Sequence, residues 1–191
     1  MPLIPDLVIG IWNAWIFMSV FLLQMLVMAL VGRQAWERSH IPAHFGRNRF
    51  ERYTSTVANL VWLAAMGFSV FLPLVFGTVW FYSGLTVFII GLIILLIATS
   101  NFINTPADAV ITKGVYQISR HPMYLATFLI CLGTGVASAS SLFVIISVIM
   151  VYCFHREALL EERFCLEQYG VAYQQYLRSV PRWLGIPTRI E

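Results

Sequence analysis

Residues 53–107 contain no Asp, Glu, Lys or Arg. A run of that length aggregates in water. It suits a bilayer, whose hydrocarbon core of about 30 Å takes about 20 apolar residues per helix. The run is too long for one helix and right for two, with a break near Pro73 and Gly77, predicting spans at about 55–76 and 78–99. The rest of the chain agrees. Only 11% of its 191 residues are charged and 59% are hydrophobic, where a soluble domain carries about 25% charged residues. The expected class is an all-α, polytopic integral membrane protein.

Two more stretches are free of these charges. Residues 7–31 fit one permanent span, since no basic n-region precedes them and no small-residue cleavage site follows, as a signal peptide would require. Residues 121–155 are overlong for one span and short for two. The basic residues decide. All 12 Lys and Arg fall in segments 33–52, 113–120 and 156–189. A hairpin turning at 137–141 puts all three on one face, as the positive-inside rule asks. The expectation is five spans, the last two a short hairpin followed by a cytoplasmic amphipathic helix. The N-terminus then lies outside, with the C-terminus and active site on the cytoplasmic side. Trp12, Trp15 and the Trp80, Phe81, Tyr82 cluster mark the outer interface.

This divides the chain into a three-span scaffold, 1–107, and a chemistry-bearing region, 108–191. The scaffold's basic loop, 33–54, with His40 and His44, is expected to rest on anionic headgroups. Asn13, Gln24, Asn59 and Ser69 are its few polar groups and are expected to join helices by hydrogen bonds. Cys131, Cys153 and Cys165 lack metal or redox spacing and read as packing residues. No zinc, phosphate-loop or dinucleotide pattern is present, and the excess charge of +3 speaks for orientation, not for nucleic acid.

The chemistry gathers at 114–124, GVYQISRHPMY. Pro122 suits the first position of a helix, where its missing N–H costs nothing. Arg120 and His121 then sit at a helix N-terminus whose free N–H groups suit an anion such as a carboxylate. Gly114 lets the incoming backbone turn or approach a ligand. The competing reading has Arg120 snorkelling and His121 capping. Downstream, Tyr152, His155, Leu159, Glu162, Leu166, Tyr169, Tyr173 and Tyr176 follow at steps of three and four, one stripe on one helix. Glu162 is the stripe's only formal charge, while Glu161 falls on another flank with Glu157. A carboxylate there binds a ribose diol or an ammonium, or else pairs with Arg163, Arg156 or Arg120. Gly170 is expected to interrupt the helix.

The run Gly-x-Tyr-x-x-x-Arg-His-Pro-x-Tyr at 114–124 resembles the signature of the isoprenylcysteine carboxyl methyltransferase family, shared in part by membrane phospholipid methyltransferases. The tail is similar to that family's closing pattern, with Glu161-Glu162-Arg163-Phe164, Tyr169-Gly170, Tyr173, Tyr176 and Val180-Pro181. Together they span about 113–183. The resemblance implies a methyltransferase using S-adenosylmethionine. Carried over by position, Val115, Tyr116, His121, Met123, Tyr124 and Leu125 contact that cofactor from the fourth span. Tyr152, His155 and Glu162 close over it from the fifth. Arg120 and Arg178 face the substrate, a prenylated or similar lipid-linked carboxylate entering from the bilayer. The chain departs from longer members in having fewer spans and Arg182-Trp183 after Val180-Pro181, which bears on the acceptor more than on the donor.

A carboxylate acceptor is already ionised near neutrality and needs no general base, so the protein has only to align the reactants and exclude water. Methylation of a phospholipid amine instead requires a base, for which His121, His155 or Glu162 would serve. A transporter would need ionisable groups near mid-bilayer, and the first three spans have none. A non-catalytic assembly protein would pack through small residues such as Gly133, Gly135 and Ala137.

Overall fold

The computed structural model describes residues 1–31, 36 and 45–186. These form six α-helices: α1 Trp15–Val31, α2 Arg49–Ser69, α3 Val79–Ile103, α4 Pro122–Ala137, α5 Ser141–Tyr169 and α6 Val171–Ser179, with a 3-10 turn at Gly114–Gln117 before α4. Among the described residues the class is all-α. The one β feature there is an isolated bridge between Asn13 and Pro73. Half of the basic loop expected at 33–54, including His40 and His44, lies outside the described residues.

Helix starts follow local chemistry. Asn48 and Glu51 form a capping box at α2, each side chain bonding the other's backbone N–H. Thr78 accepts from the Phe81 N–H at α3, and Ser140 from the Phe143 N–H at α5. Pro122 occupies the first turn of α4. The hairpin expected at 137–141 is present, for α4 ends at Ala137 and α5 begins at Ser141. Its second arm does not stop at the expected boundary. The short fifth span and the amphipathic helix are one continuous helix of 29 residues, which Gly170 ends at φ +55°.

The first span is shorter than the sequence suggested. Residues 7–14 are not helical, because their polar groups find partners across the molecule. The Val8 and Ala14 N–H groups donate to the carbonyls of Phe71 and Leu72, and Leu74 N–H donates to Trp12. The Asn13 amide bonds the carbonyls of Val8 and Val70. Asn13 thus joins segments as expected, whereas Asn59 is exposed and Ser69 bonds within its own helix. Likewise α2 begins at Arg49, earlier than the expected 55, and stops at Ser69 before Pro73.

Among the described residues two helices, α3 and α5, are long and apolar enough to cross a membrane. The apolar α1 and α4 have 17 and 16 residues, about 25 Å at ~1.5 Å per residue, short of a ~30 Å core. The outward faces are greasy. Leu22, Leu26 and Leu30 on α1, Ile93 and Leu96 on α3, and Val148 and Ile149 on α5 are all exposed. Apolar surface on that scale marks a membrane-contacting wall.

Glycines bring α3 and α4 together. A Cβ on Gly133 would come within 2.5 Å of the Phe88 amide nitrogen, and one on Gly91 within 2.9 Å of the Ile130 nitrogen. One on Gly84 would collide with the Ala137 backbone. Only hydrogen at these positions lets the backbones touch. This seam fixes where α4 starts, and therefore where the Arg-His-Pro motif stands.

Candidate functional site

The motif is delivered by two turns. Gly114, at φ +59°, packs on Asn101 of α3 so closely that a Cβ would strike the Asn101 side chain. The following 3-10 turn buries Tyr116, whose carbonyl accepts from the Tyr176 hydroxyl at 2.7 Å. Gly170 then folds α6 back, so that Tyr173, Tyr176 and Val180 form a buried cluster against Val110 and Cys165. The tail beyond α6 returns to the motif. The Arg120 N–H donates to the Pro181 carbonyl at 3.0 Å, and the Ser119 hydroxyl donates to the Arg182 carbonyl at 3.2 Å.

Charges meet where motif, α5 and tail converge. Arg182 grips Glu162 with two bonds, Nε to Oε1 at 2.9 Å and Nη2 to Oε2 at 2.7 Å. Arg120 Nη2 lies 3.2 Å from Glu162 Oε1. His121 bridges the two glutamates, with Nε2 3.3 Å from Glu162 Oε1 and Nδ1 3.2 Å from Glu161 Oε2. The Tyr124 hydroxyl donates to Glu161 Oε1 at 2.8 Å. Of the alternatives open for Glu162, the structure realises an ion pair with Arg120, joined by Arg182 and His121. His121 does not cap α4 with its side chain. Burial alone would lower the pKa of its imidazole, but hydrogen bonds and charge from Glu161 and Glu162 outweigh that and raise it above the ordinary 6.5.

Beside this knot is a cavity of about 400 Å³, within the range of small-molecule sites. Tyr116, Arg120, His121, Met123, Tyr124 and Glu161 line one side. Gln24, Met25 and Met28 of α1, Phe102 of α3 and Val110 and Ile111 line another. Its walls are mainly apolar, with a charged corner. Gln24 donates to Thr99 at 3.0 Å, joining helices as expected, and also faces the cavity.

Five of the residues carried over as cofactor or substrate contacts therefore meet at the cavity: Tyr116, Arg120, His121, Met123 and Tyr124. The other six residues carried over as cofactor or substrate contacts are not among its lining residues. Val115 packs beside Tyr116, and Leu125 is half-buried on α4. Tyr152 is 59% exposed. His155 faces the Trp183 ring, centroids 6.2 Å apart, and Glu162 lies in the knot. Arg178 is exposed on the last turn of α6. The helix that carries the stripe is broken at Gly170, yet Tyr169, Tyr173 and Tyr176 all line the cavity, whereas Tyr152 does not. Helical spacing set Glu161, the cavity's carboxylate, on another flank, so that only the resemblance, through its paired glutamates, pointed to it. Sequence reasoning left Arg182 without a role, although a lone arginine after Val180-Pro181 was a visible signal.

Comparison with known proteins bears on this region. The family model for phospholipid methyltransferase matches residues 72–172, which hold the motif, the hairpin and both glutamates. The chain is 33% identical over 78 residues to protein-S-isoprenylcysteine O-methyltransferase B of Arabidopsis thaliana, covering 40% of this chain and 39% of that protein. It is 31% identical over 78 residues to protein-S-isoprenylcysteine O-methyltransferase of Schizosaccharomyces pombe, covering 40% and 32%. The enzyme of the same name from Saccharomyces cerevisiae is 32% identical over 83 residues, covering 42% and 34%. The matched stretch thus spans 32–39% of these relatives' length.

Proposed function

The chain belongs to the phospholipid methyltransferase family, and on that premise we propose that it is an integral membrane methyltransferase that uses S-adenosylmethionine to esterify a lipid-linked carboxylate. One observation carries the reading. The residues of the Arg-His-Pro motif and a glutamate of the paired-glutamate tail converge on one cavity of about 400 Å³. Its charged corner and apolar walls fit a donor that carries both ionic groups and a flat heterocycle. When bound, that donor supplies an electrophilic methyl group on a sulfonium.

The chain's own residues have three tasks. Glu161 offers a carboxylate toward cationic or hydroxyl groups of the donor, held in place by Tyr124 and His121. Arg120 lines the same cavity and orients the acceptor's carboxylate through a charge-assisted pair. Arg178, being exposed, would reach an acceptor only outside the cavity, so Arg120 is the stronger candidate of the two. Met25, Met28, Phe102 and Ile111 exclude water and accommodate the acceptor's lipid portion.

The name of the family model favours one competing reading, transfer to a phospholipid amine. An amine must lose a proton first. The two ionisable groups nearest that task, His121 and Glu161, are already bonded to each other, so an acceptor that needs no base fits better. The activity for which the relatives are named, on isoprenylcysteine, points the same way. The test offers detergent-purified protein labelled S-adenosylmethionine with either a farnesyl-cysteine analogue or phosphatidylethanolamine. Ester-linked label is expected. Label in lipid amine alone replaces this acceptor with the other, and no label in either removes the reading.

The arrangement in the membrane is part of the proposal. Five spans, with the N-terminus outside, put the knot and the tail on the cytoplasmic side, where a polar donor is available. A cysteine placed at Ser179 and labelled in intact cells tests this, since labelling only from outside would overturn it.

A further inference from the structure

We propose that Arg182 is a positioning residue of the donor site, holding His121 in the cavity wall by locking Glu162 from behind. The inference deepens the function proposed above and rests on it for the identity of the ligand. Arg182 is not a cavity residue and touches neither donor nor acceptor. Its effect passes through Glu162.

Three observations converge. The guanidinium spans both oxygens of Glu162, at 2.9 and 2.7 Å, which stops the carboxylate from turning about its own axis. One of those oxygens is the partner of His121 Nε2 at 3.3 Å, so the imidazole takes its orientation from a group that Arg182 has fixed. Arg182 is itself anchored. Its carbonyl accepts from Ser119, the preceding Pro181 carbonyl accepts from the Arg120 N–H, and the following Trp183 ring lies 6.2 Å from both His121 and His155. The tail therefore runs as a strap along Ser119, Arg120 and His121. Its Arg182 closes the chain Arg182, Glu162, His121, Glu161, Tyr124, whose far end is at the cavity.

The side chain of Arg182 is the most exposed of the cations on Glu162, at 26% against 11% for Arg120 and 6% for His121. Its replacement leaves the pair buried beneath it in place, so variants should fold. The test uses full-length protein in detergent, as wild type, R182K and R182A. Two signals are read: the ¹³C-histidine NMR resonance of His121 without ligand, assigned by its absence in H121Q, and calorimetric affinity for S-adenosylhomocysteine.

R182A should move or broaden the His121 resonance and weaken binding about tenfold, the scale of one displaced charge-assisted bond. R182K keeps the charge but can serve one oxygen, so it should recover part of both signals. An unchanged His121 resonance in R182A overturns the proposal, whether or not affinity falls. Full recovery by R182K also overturns it, since charge alone would then suffice. If wild type binds no S-adenosylhomocysteine, the methyltransferase reading fails, while the His121 resonance still decides the role of Arg182.

Discussion

The α3–α4 seam and the knot of Arg120, His121, Glu161, Glu162 and Arg182 are both tightly packed, by opposite means. At the seam, Gly84, Gly91 and Gly133 omit side chains so that two backbones meet. At the knot, five charged or chargeable side chains are gathered where α5 leaves the hairpin, and each is held by a counter-charge. The seam tolerates no added atom. The knot tolerates little loss, because a buried charge without its partner is costly. Geometry is fixed by the first region and chemistry by the second, and the turn at 118–121 joins them.

The largest effects should come from adding bulk at the seam. Gly133→Leu forces a branched side chain into the Phe88 backbone, where no rotamer escapes, and should leave no monodisperse protein on size-exclusion chromatography. Gly67→Ala is the contrast. It is an exposed helical position with open space around a Cβ, so it should be neutral or stabilise by up to about 1 kcal/mol. Next comes removal of the anion at the knot's centre. Glu162→Ala strands Arg120, His121 and Arg182 together and should destabilise by about 3–5 kcal/mol, seen as a fall in the unfolding transition in detergent. Equal effects of Gly133→Leu and Gly67→Ala would show that the seam is not the tight contact described.

Within the knot, the two adjacent glutamates should separate. Glu161 faces the cavity and its side chain is 35% exposed, against 9% for Glu162. Glu161→Gln should therefore leave the unfolding transition nearly in place and weaken S-adenosylhomocysteine binding about tenfold or more. A loss of stability matching that of Glu162→Ala would abolish the distinction. A smaller effect belongs to pH. His121 faces Glu161 and Glu162 on α5, Tyr124 on α4, and Trp183 on the strap, with Arg120 beside it. Its pKa is raised in the folded state. Its contribution to stability is thus fully present below about pH 6.5, the ordinary value, and is lost as pH rises through the raised value. The transition of the wild type should fall across that window more than that of H121Q.

What the sequence revealed follows from the same contrast. The all-helical class and the hairpin were readable because apolar length and basic-residue placement are additive along the chain. The hairpin turn at 137–141 was placed correctly on the positions of arginines far from it. The first span was overread, since the bonds that hold residues 8–14 against 71–74 are long-range and leave no local pattern. At the cavity, the motif had already singled out Tyr116, Arg120, His121, Met123 and Tyr124 among the lining residues. Glu161 was out of reach of helical spacing, which counts neighbours on one helix, whereas its partners Tyr124 and His121 arrive from another. Arg182 was hidden for a related reason: no periodicity connects a residue beyond the last helix to a carboxylate twenty positions earlier.

The smallest effect tests whether burial, not geometry, gives the knot its strength. Arg163 makes the same two-pronged pair as Arg182, at 2.8 and 3.0 Å to Glu51, and adds a bond to the Gly46 carbonyl and a contact over the Phe45 ring. Its side chain is 42% exposed, where that of Arg182 is 26%. Water screens the outer pair, and exposed pairs contribute about 0.2–1 kcal/mol. Arg163→Ala is the clean probe, because Glu51 also caps α2 and its removal would take the cap as well. The expected shift in the unfolding transition is one to a few degrees, with S-adenosylhomocysteine affinity unchanged. A double-mutant cycle on Arg163 and Glu51 should give a coupling several times smaller than the cycle on Arg182 and Glu162. Equal couplings would mean that fork geometry sets the strength of both pairs, and the distinction between the knot and the protein's outer charges would lose its physical basis.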